Sequence, residues 1–210
     1  ILTYEENGSF ETKKRVRIFL IVYAAYMAVY VARVNLSVAG PVLKSLSILD
    51  SAQLGILGSC FFVVYALGRV VNGSLSDSAS PCVMICAGLS LSGLSNICFN
   101  FFPSFAAMCA CWTLNAYAQS MLWSSILCTI TAVYEQEQEK SRASLMVTSV
   151  AAGNIAGILI NSWLLERAAV RFAFLIPGIL NSLLAVAVFL SIRNIRAPVC
   201  AQKTHASVLK

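Results

Sequence analysis

The sequence has very little charge. Only 11% of its 210 residues are charged, against roughly 25% in a typical soluble domain. Hydrophobic residues reach 59%, and the mean hydropathy is +0.78. Because this small number of charged groups cannot cover a water-facing surface, the composition predicts a membrane protein surrounded by lipid.

Residues that usually carry enzyme chemistry are also scarce. The single histidine, His205, lies in a polar C-terminal tail, where we expect it to be solvated. The eight cysteines lie mostly within apolar runs and lack a paired CxxC spacing, which is typical of small packing residues. The sequence contains neither a glycine-rich phosphate loop nor a nucleophile elbow. We therefore expect no enzyme activity, no cofactor and no metal.

Six long apolar blocks are present, each long enough to cross a bilayer, which takes about 20 residues. They predict an all-α membrane protein whose transmembrane helices are Ile18–Ala39, Leu54–Gly73, Val83–Phe102, Phe105–Tyr134, Ala143–Leu165 and Phe172–Ile192. The polar opening, residues 1–11, does not have the pattern of a secretory signal. The domain prediction is a cytosolic tail at 1–17, a six-helix bundle at 18–192, and a second cytosolic tail, or the start of a central loop, at 193–210.

The basic residues are distributed unequally between the two sides of the predicted bundle. With the N-terminus inside, ten lie on the inner side: Lys13, Lys14, Arg15, Arg17, Lys140, Arg142, Arg193, Arg196, Lys203 and Lys210. Three lie on the outer side: Lys44, Arg167 and Arg171. This bias predicts a multi-pass protein of the cell membrane with both termini in the cytosol. It also explains the net charge of +6 without a nucleic-acid partner.

Two arginines interrupt the apolar blocks. Arg33 lies well inside the first and Arg69 lies toward the inner end of the second. A buried arginine costs about 2.5–3.5 kcal/mol on insertion scales, so it persists where it lines a wet cavity or meets a partner. Arg69 could instead reach outward to the interface. Asp50, Asp77 and Glu166 are all expected in loops, so neither arginine has a predicted carboxylate partner within the membrane.

Tyrosines share the helical faces of both arginines. At about 100° per residue, Tyr26 and Tyr30 fall on the same face of the first helix as Arg33, and Tyr65 precedes Arg69 by four residues on the second. Guanidinium groups bind phosphate or carboxylate as a fork, and phenol hydroxyls add hydrogen bonds. The pattern predicts an anion site.

Helices 4 and 5 add polar and small residues. Gln119 and Trp123 are four residues apart on helix 4, following Asn115. The side-chain amides of Asn115 and Gln119 could form interhelical hydrogen bonds or line a cavity. On helix 5, Gly153 and Gly157 have the small-xxx-small spacing that favours close helix packing.

Several motifs resemble a known family. Gly73-Ser-Leu-Ser-Asp77 resembles, in part, the cytosolic loop signature of the major facilitator superfamily. The strings Tyr23-Ala-Ala-Tyr26, Arg33-Val-Asn35, Tyr65-Ala-Leu-Gly-Arg69 and Gln119-Ser-Met-Leu-Trp123 look like the organophosphate:phosphate antiporters within it. That family comprises the glycerol-3-phosphate and hexose-6-phosphate transporters. The resemblance covers about residues 16–193.

The resemblance implies a fold of two six-helix bundles that work by alternating access, with this chain as the N-terminal half. The family's phosphate-binding arginine maps onto Arg33 and a helix 2 lysine maps onto Arg69. A helix 5 histidine of the glycerol-3-phosphate branch maps onto Gly153, so this chain lacks it. A second family arginine belongs to the C-terminal half, outside residues 1–210.

These observations predict exchange of a phosphorylated organic anion for inorganic phosphate. The expected partners are the organic phosphate, inorganic phosphate, the lipid bilayer and a second six-helix half, on the same longer chain or another copy. The predicted binding residues are Arg33, Arg69, Tyr26, Tyr30, Tyr65, Gln119 and Trp123. The alternatives are a sugar-phosphate sensor, a non-transporting half, or a facilitator of another organic anion such as a carboxylate.

Overall fold

The computed structural model describes residues 2–76, 78–101 and 104–193, with side chains from residue 12 onward. The regular structure in these ranges is entirely α-helical. Its elements are α1 (Leu2–Ser45), α2 (Ser51–Ser76), α3 (Pro81–Phe99), α4 (Phe105–Ser120), α5 (Leu122–Val133), α6 (Gln136–Arg167) and α7 (Phe172–Ile192). Asp77 of the loop signature, His205 and the tail from residue 194 lie outside the described residues.

The helices account for the six predicted spans. Within the described residues, α1, α2, α3, α6 and α7 are each long and apolar enough to cross a membrane. The fourth predicted span, Phe105–Tyr134, is divided into α4 and α5, which meet at Met121. There the Met121 N–H bonds the carbonyl of Ala118 at 3.3 Å, and the Ser120 hydroxyl donates to the carbonyl of Tyr117 at 2.6 Å. Serine bonds of this kind bend helices.

Several helices extend beyond their apolar blocks. Helix α1 begins at Leu2, so the residues assigned to an N-terminal tail continue the first helix. The interval between the fourth and fifth predicted spans, residues 135–142, is shorter than predicted, because α6 begins at Gln136. Glu166, expected in a loop, lies exposed in the last turn of α6. Hydropathy marks only the lipid-buried part, whereas backbone hydrogen bonds extend a helix into the polar zone.

Glycines allow the central helices to approach closely. A Cβ added to Gly153 would lie 2.8 Å from the carbonyl oxygen of Met27, and one added to Gly157 would lie 3.0 Å from Cα of Val31. These contacts confirm that the glycine pair packs α6 against α1. Helix α1 also packs on α7, while α3 packs between α7 and α4, and α2 packs on α4.

Two apolar clusters fill the bundle, one toward each end. The first includes Ile18 and Val22 near the start of the first span together with Ile192 at the end of α7. The second includes Leu43 at the other end of α1 and Phe174 near the start of α7. Arg33 and a set of buried polar side chains occupy the level between them. A polar layer therefore crosses the middle of the bundle, and further buried polar groups, such as Ser76 and Thr129, lie toward one end.

Candidate functional site

Arg33 is the centre of the polar layer. It is half-buried on α1, and its Nε donates a hydrogen bond to Oε1 of Gln119 on α4 at 2.8 Å. The guanidinium carbon lies 4.4 Å from the ring centroid of Tyr30 and 4.5 Å from that of Tyr65. Its Nη2 is buried without a hydrogen-bond partner. The side chain is thus anchored at Nε, while the buried Nη2 has an unsatisfied donor capacity.

A third ring completes the aromatic surroundings of Arg33. Phe61 lies on α2 with its centroid 5.7 Å from the guanidinium carbon, and its ring stacks on Tyr65 at 6.0 Å and 11°. Sequence reasoning missed Phe61, although it precedes Tyr65 by four residues on the same helical face. Rings attract a cation through their negative faces without neutralising its charge.

Arg69 joins the site through Tyr65. Its Nη1 donates to the Tyr65 hydroxyl at 3.3 Å, while the side chain remains exposed. One tyrosine therefore contacts both arginines, with its ring against Arg33 and its hydroxyl toward Arg69. Asn72, the next polar residue along α2, lies outside the site, because its amide is buried and donates to Ser120 at 2.8 Å.

Tyr26 and Trp123 lie on the side of the Arg33 site that faces the first apolar cluster. Tyr26 is only 2% exposed, with its ring 5.4 Å from Tyr30 and 5.2 Å from Trp123. The structure thus brings all seven sequence-predicted residues into one connected group drawn from α1, α2, α4 and α5. Their role in binding remains a prediction.

Behind Gln119 lies a buried network that the sequence did not identify as part of the site. The Gln119 amide nitrogen donates to Ser92 Oγ at 3.3 Å and to Asn115 Oδ1 at 3.1 Å. Asn181 on α7 also donates to Ser92, at 3.2 Å. The only sequence signal for Ser92 and Asn181 is their polarity within apolar helices. By contrast, Asn161 on α6 bonds the carbonyl of Val31 at 3.1 Å and serves helix packing.

The charge of the two arginines is not compensated by any ion pair in the described part of the chain. The one ion pair found there joins Arg15 and Glu135 at 3.5 Å, at the end of the bundle near the N-terminal part of α1. Nor do the described residues contain a group of three or more His, Cys, Asp or Glu side chains that could hold a metal. The site is a cationic cluster surrounded by neutral hydrogen-bonding and aromatic groups.

A helical bundle with six spans defines a multi-pass membrane protein. The family model of the Major Facilitator Superfamily matches residues 22–207, and the chain belongs to that family. The resemblance found in the motifs is thereby confirmed.

Several curated relatives are similar in sequence. A "Probable hexose phosphate transport protein" of Chlamydia pneumoniae is 30% identical over 79% of this chain. A "Glycerol-3-phosphate transporter" of Haemophilus influenzae is 30% identical over 77% of it. The "Membrane sensor protein UhpC" of Escherichia coli is 29% identical over 75% of it. These matches cover 36%, 34% and 35% of the respective relatives, so the chain spans about a third of their length.

Solved structures agree on the fold. A bacterial homologue of the human lysosomal transporter Spinster, in an inward-facing and unoccupied conformation, superposes with a TM-score of 0.74. The match covers 88% of this chain and 44% of that one, at 17% sequence identity. The similarity shows that the two chains share a fold.

Proposed function

We propose that this chain forms the N-terminal half of a secondary transporter that exchanges a phosphorylated organic anion for inorganic phosphate by alternating access. The observation that carries the proposal is the state of Arg33. It is a half-buried cation within a membrane bundle, contacted by neutral groups and rings, with Nη2 unpartnered. A sugar phosphate or glycerol phosphate would supply the missing negative charge.

The chemistry of the pocket suits a phosphate group. Guanidinium stays charged at any physiological pH, and its fork of N–H donors fits phosphate oxygens in pairs. Arg33 would bind the phosphate directly, and Arg69 would add positive potential from the adjoining helix. Tyr30 and Tyr65 would hold the Arg33 guanidinium in place by cation–π contact, while Trp123 and Tyr26 would border the organic part.

Exchange follows from the same electrostatics. An uncompensated cation within lipid is costly, so a site that returns empty is less favourable than one that returns carrying an anion. Inorganic phosphate presents the same oxygen surface as a phosphate ester and could occupy the site on the return step. A second six-helix half would complete the site, in keeping with the greater length of the relatives, of which the match covers 36% in the Chlamydia pneumoniae protein.

The first test measures ligand binding, then flux. Purified chain is titrated with inorganic phosphate and glucose 6-phosphate. Phosphate-loaded vesicles that carry the chain together with its second six-helix half are then assayed for uptake of labelled phosphate. Arg33→Ala should abolish binding and uptake. Arg171→Ala, which removes an exposed arginine at the start of α7, is the matched control and should leave both intact. Equal behaviour of the two variants would contradict the proposal.

The second candidate function is sensing. It is favoured by the similarity to a protein named as a membrane sensor, and the same pocket could bind a sugar phosphate without moving it. Saturable binding in the absence of any flux, with the second half present, would select the sensor. A facilitator for carboxylates is the third candidate, and competition separates it, because phosphate esters should then displace the carboxylate poorly.

A further inference from the structure

Behind the proposed pocket, Ser92 and Asn115 form a rigid polar support. We propose that these two side chains are positioning residues, which fix the amide of Gln119 so that its oxygen faces Arg33. The consequence for phosphate binding rests on the proposed function. The positioning itself concerns only groups within this chain.

The direction of the hydrogen bonds carries the argument. Ser92 donates its single hydroxyl proton to Oδ1 of Asn115 at 2.7 Å. Its oxygen can then only accept, and it accepts from the amide nitrogens of Gln119 at 3.3 Å and Asn181 at 3.2 Å. Both acceptors that face Gln119, namely Ser92 Oγ and Asn115 Oδ1, therefore require its NH2 group.

This requirement leaves the Gln119 oxygen for Arg33. The reversed amide would place an NH2 group against the Arg33 Nε–H, two donors facing each other, and a carbonyl oxygen against Asn115 Oδ1, two acceptors facing each other. Ser92, Asn115 and Gln119 are each essentially inaccessible to solvent, so water does not relieve such a mismatch.

The consequence is a fixed direction for the ligand-binding group. With Nε bonded to Gln119, the plane of the Arg33 guanidinium is set and Nη2 is left without a protein partner. Binding groups whose orientation is fixed by a second layer of hydrogen bonds lose less entropy on capture of a ligand. Ser92 and Asn115 thus act on phosphate through Arg33.

The test follows the Arg33 Nε–H directly by NMR of protein labelled with ¹⁵N-arginine, its signal assigned by its loss in Arg33→Lys. Ser92→Ala should shift this signal and speed its hydrogen exchange. Ser95→Ala is the matched control, because Ser95 is a buried serine on the same helix whose hydroxyl has no hydrogen-bond partner. Ser92→Thr, which keeps the hydroxyl, should restore the signal, and Asn115→Ala should reproduce the Ser92→Ala effect.

Phosphate titrations of the same variants complete the experiment. Loss of one such interhelical bond should lower affinity for inorganic phosphate by about 3- to 18-fold, from the measured strength of polar contacts in membranes, and Ser95→Ala should change it little. An unchanged Arg33 signal in both Ser92→Ala and Asn115→Ala would overturn the positioning role. A wild-type chain that binds no phosphate would instead refute the proposed function, while the NMR signal would still decide the positioning role.

Discussion

Tyr65 contacts both arginines of the pocket, with its ring centroid 4.5 Å from the Arg33 guanidinium carbon and its hydroxyl 3.3 Å from Arg69 Nη1. Both contacts come from one side chain on α2, so its ring and its hydroxyl can be removed separately. The two arginines are coupled through this residue, and no carboxylate of the described chain pairs with either.

The first prediction separates the ring of Tyr65 from its hydroxyl. Tyr65→Phe keeps the contact with Arg33 and should weaken phosphate binding by no more than about 3-fold, whereas Tyr65→Leu removes a cation–π contact worth about 0.5–2 kcal/mol and should weaken it by about 2- to 30-fold. Isothermal titration with phosphate measures both. Tyr117→Leu on α4 is the control for loss of a half-buried tyrosine ring. A Tyr65→Phe defect as large as that of Tyr65→Leu would contradict the ring's role.

The second prediction concerns the shape of the two cations. The ammonium group of lysine is a compact point charge. The Arg33→Lys variant therefore cannot bond Gln119 and a phosphate oxygen at the same time in the way that a guanidinium can. We expect Arg33→Lys to lower phosphate affinity by at least about 10-fold, which corresponds to the loss of one charge-assisted hydrogen bond. Arg69→Lys is the matched substitution. It should cost about 3-fold or less, because Arg69 is exposed and makes one long hydrogen bond. The reverse order would assign the main ligand to Arg69.

The third prediction tests the contact between α1 and α6. Gly153→Ala places a methyl group 2.8 Å from both the Met27 carbonyl oxygen and Cβ of Tyr30, so the helices must separate, at an overpacking cost of about 1–3 kcal/mol. Gly55→Ala on α2 is the control, because no atom lies within 4 Å of its added Cβ. Thermal unfolding in detergent should show a lower Tm for Gly153→Ala alone. Equal Tm values would mean that the interface is looser than the structure indicates.

The same contact determines what α6 can contribute to the pocket. Position 153 faces the backbone of α1 beside Tyr30, so no larger side chain fits there without moving a helix. The resemblance places a histidine of the glycerol-3-phosphate branch at this position, where this chain has glycine. Under the proposed function, any selectivity between organic phosphates would come from other residues.

Helical periodicity explains why so much of the pocket could be predicted. A spacing of three or four residues places Tyr26, Tyr30 and Arg33 on one face whatever the tertiary structure, and the same holds for Tyr65 and Arg69. The six spans followed from hydropathy in the same way. These features depend only on order within one helix, which the sequence contains directly.

Contacts between helices were harder to predict. Ser92 on α3 meets Gln119, and Asn181 on α7 meets Ser92, only because of the relative rotation and depth of three helices, which a single sequence does not specify. The division at Met121 was missed for a related reason. Met121 keeps helical dihedrals, with φ −71° and ψ −22°. Neither Gly nor Pro lies beside it, so the sequence does not predict a break there.

The fourth prediction tests the orientation of the bundle, which depends on the excess of basic residues on one side. Lys44 follows the first span and Ser141 lies near the start of α6, and both are exposed. In a cysteine-free background, Lys44→Cys should react with a membrane-impermeant maleimide on intact cells. Ser141→Cys should react only after permeabilisation, because its side of the bundle carries most of the lysine and arginine. Labelling of Ser141→Cys on intact cells, with Lys44→Cys protected, would invert the topology and place the Arg15–Glu135 pair outside.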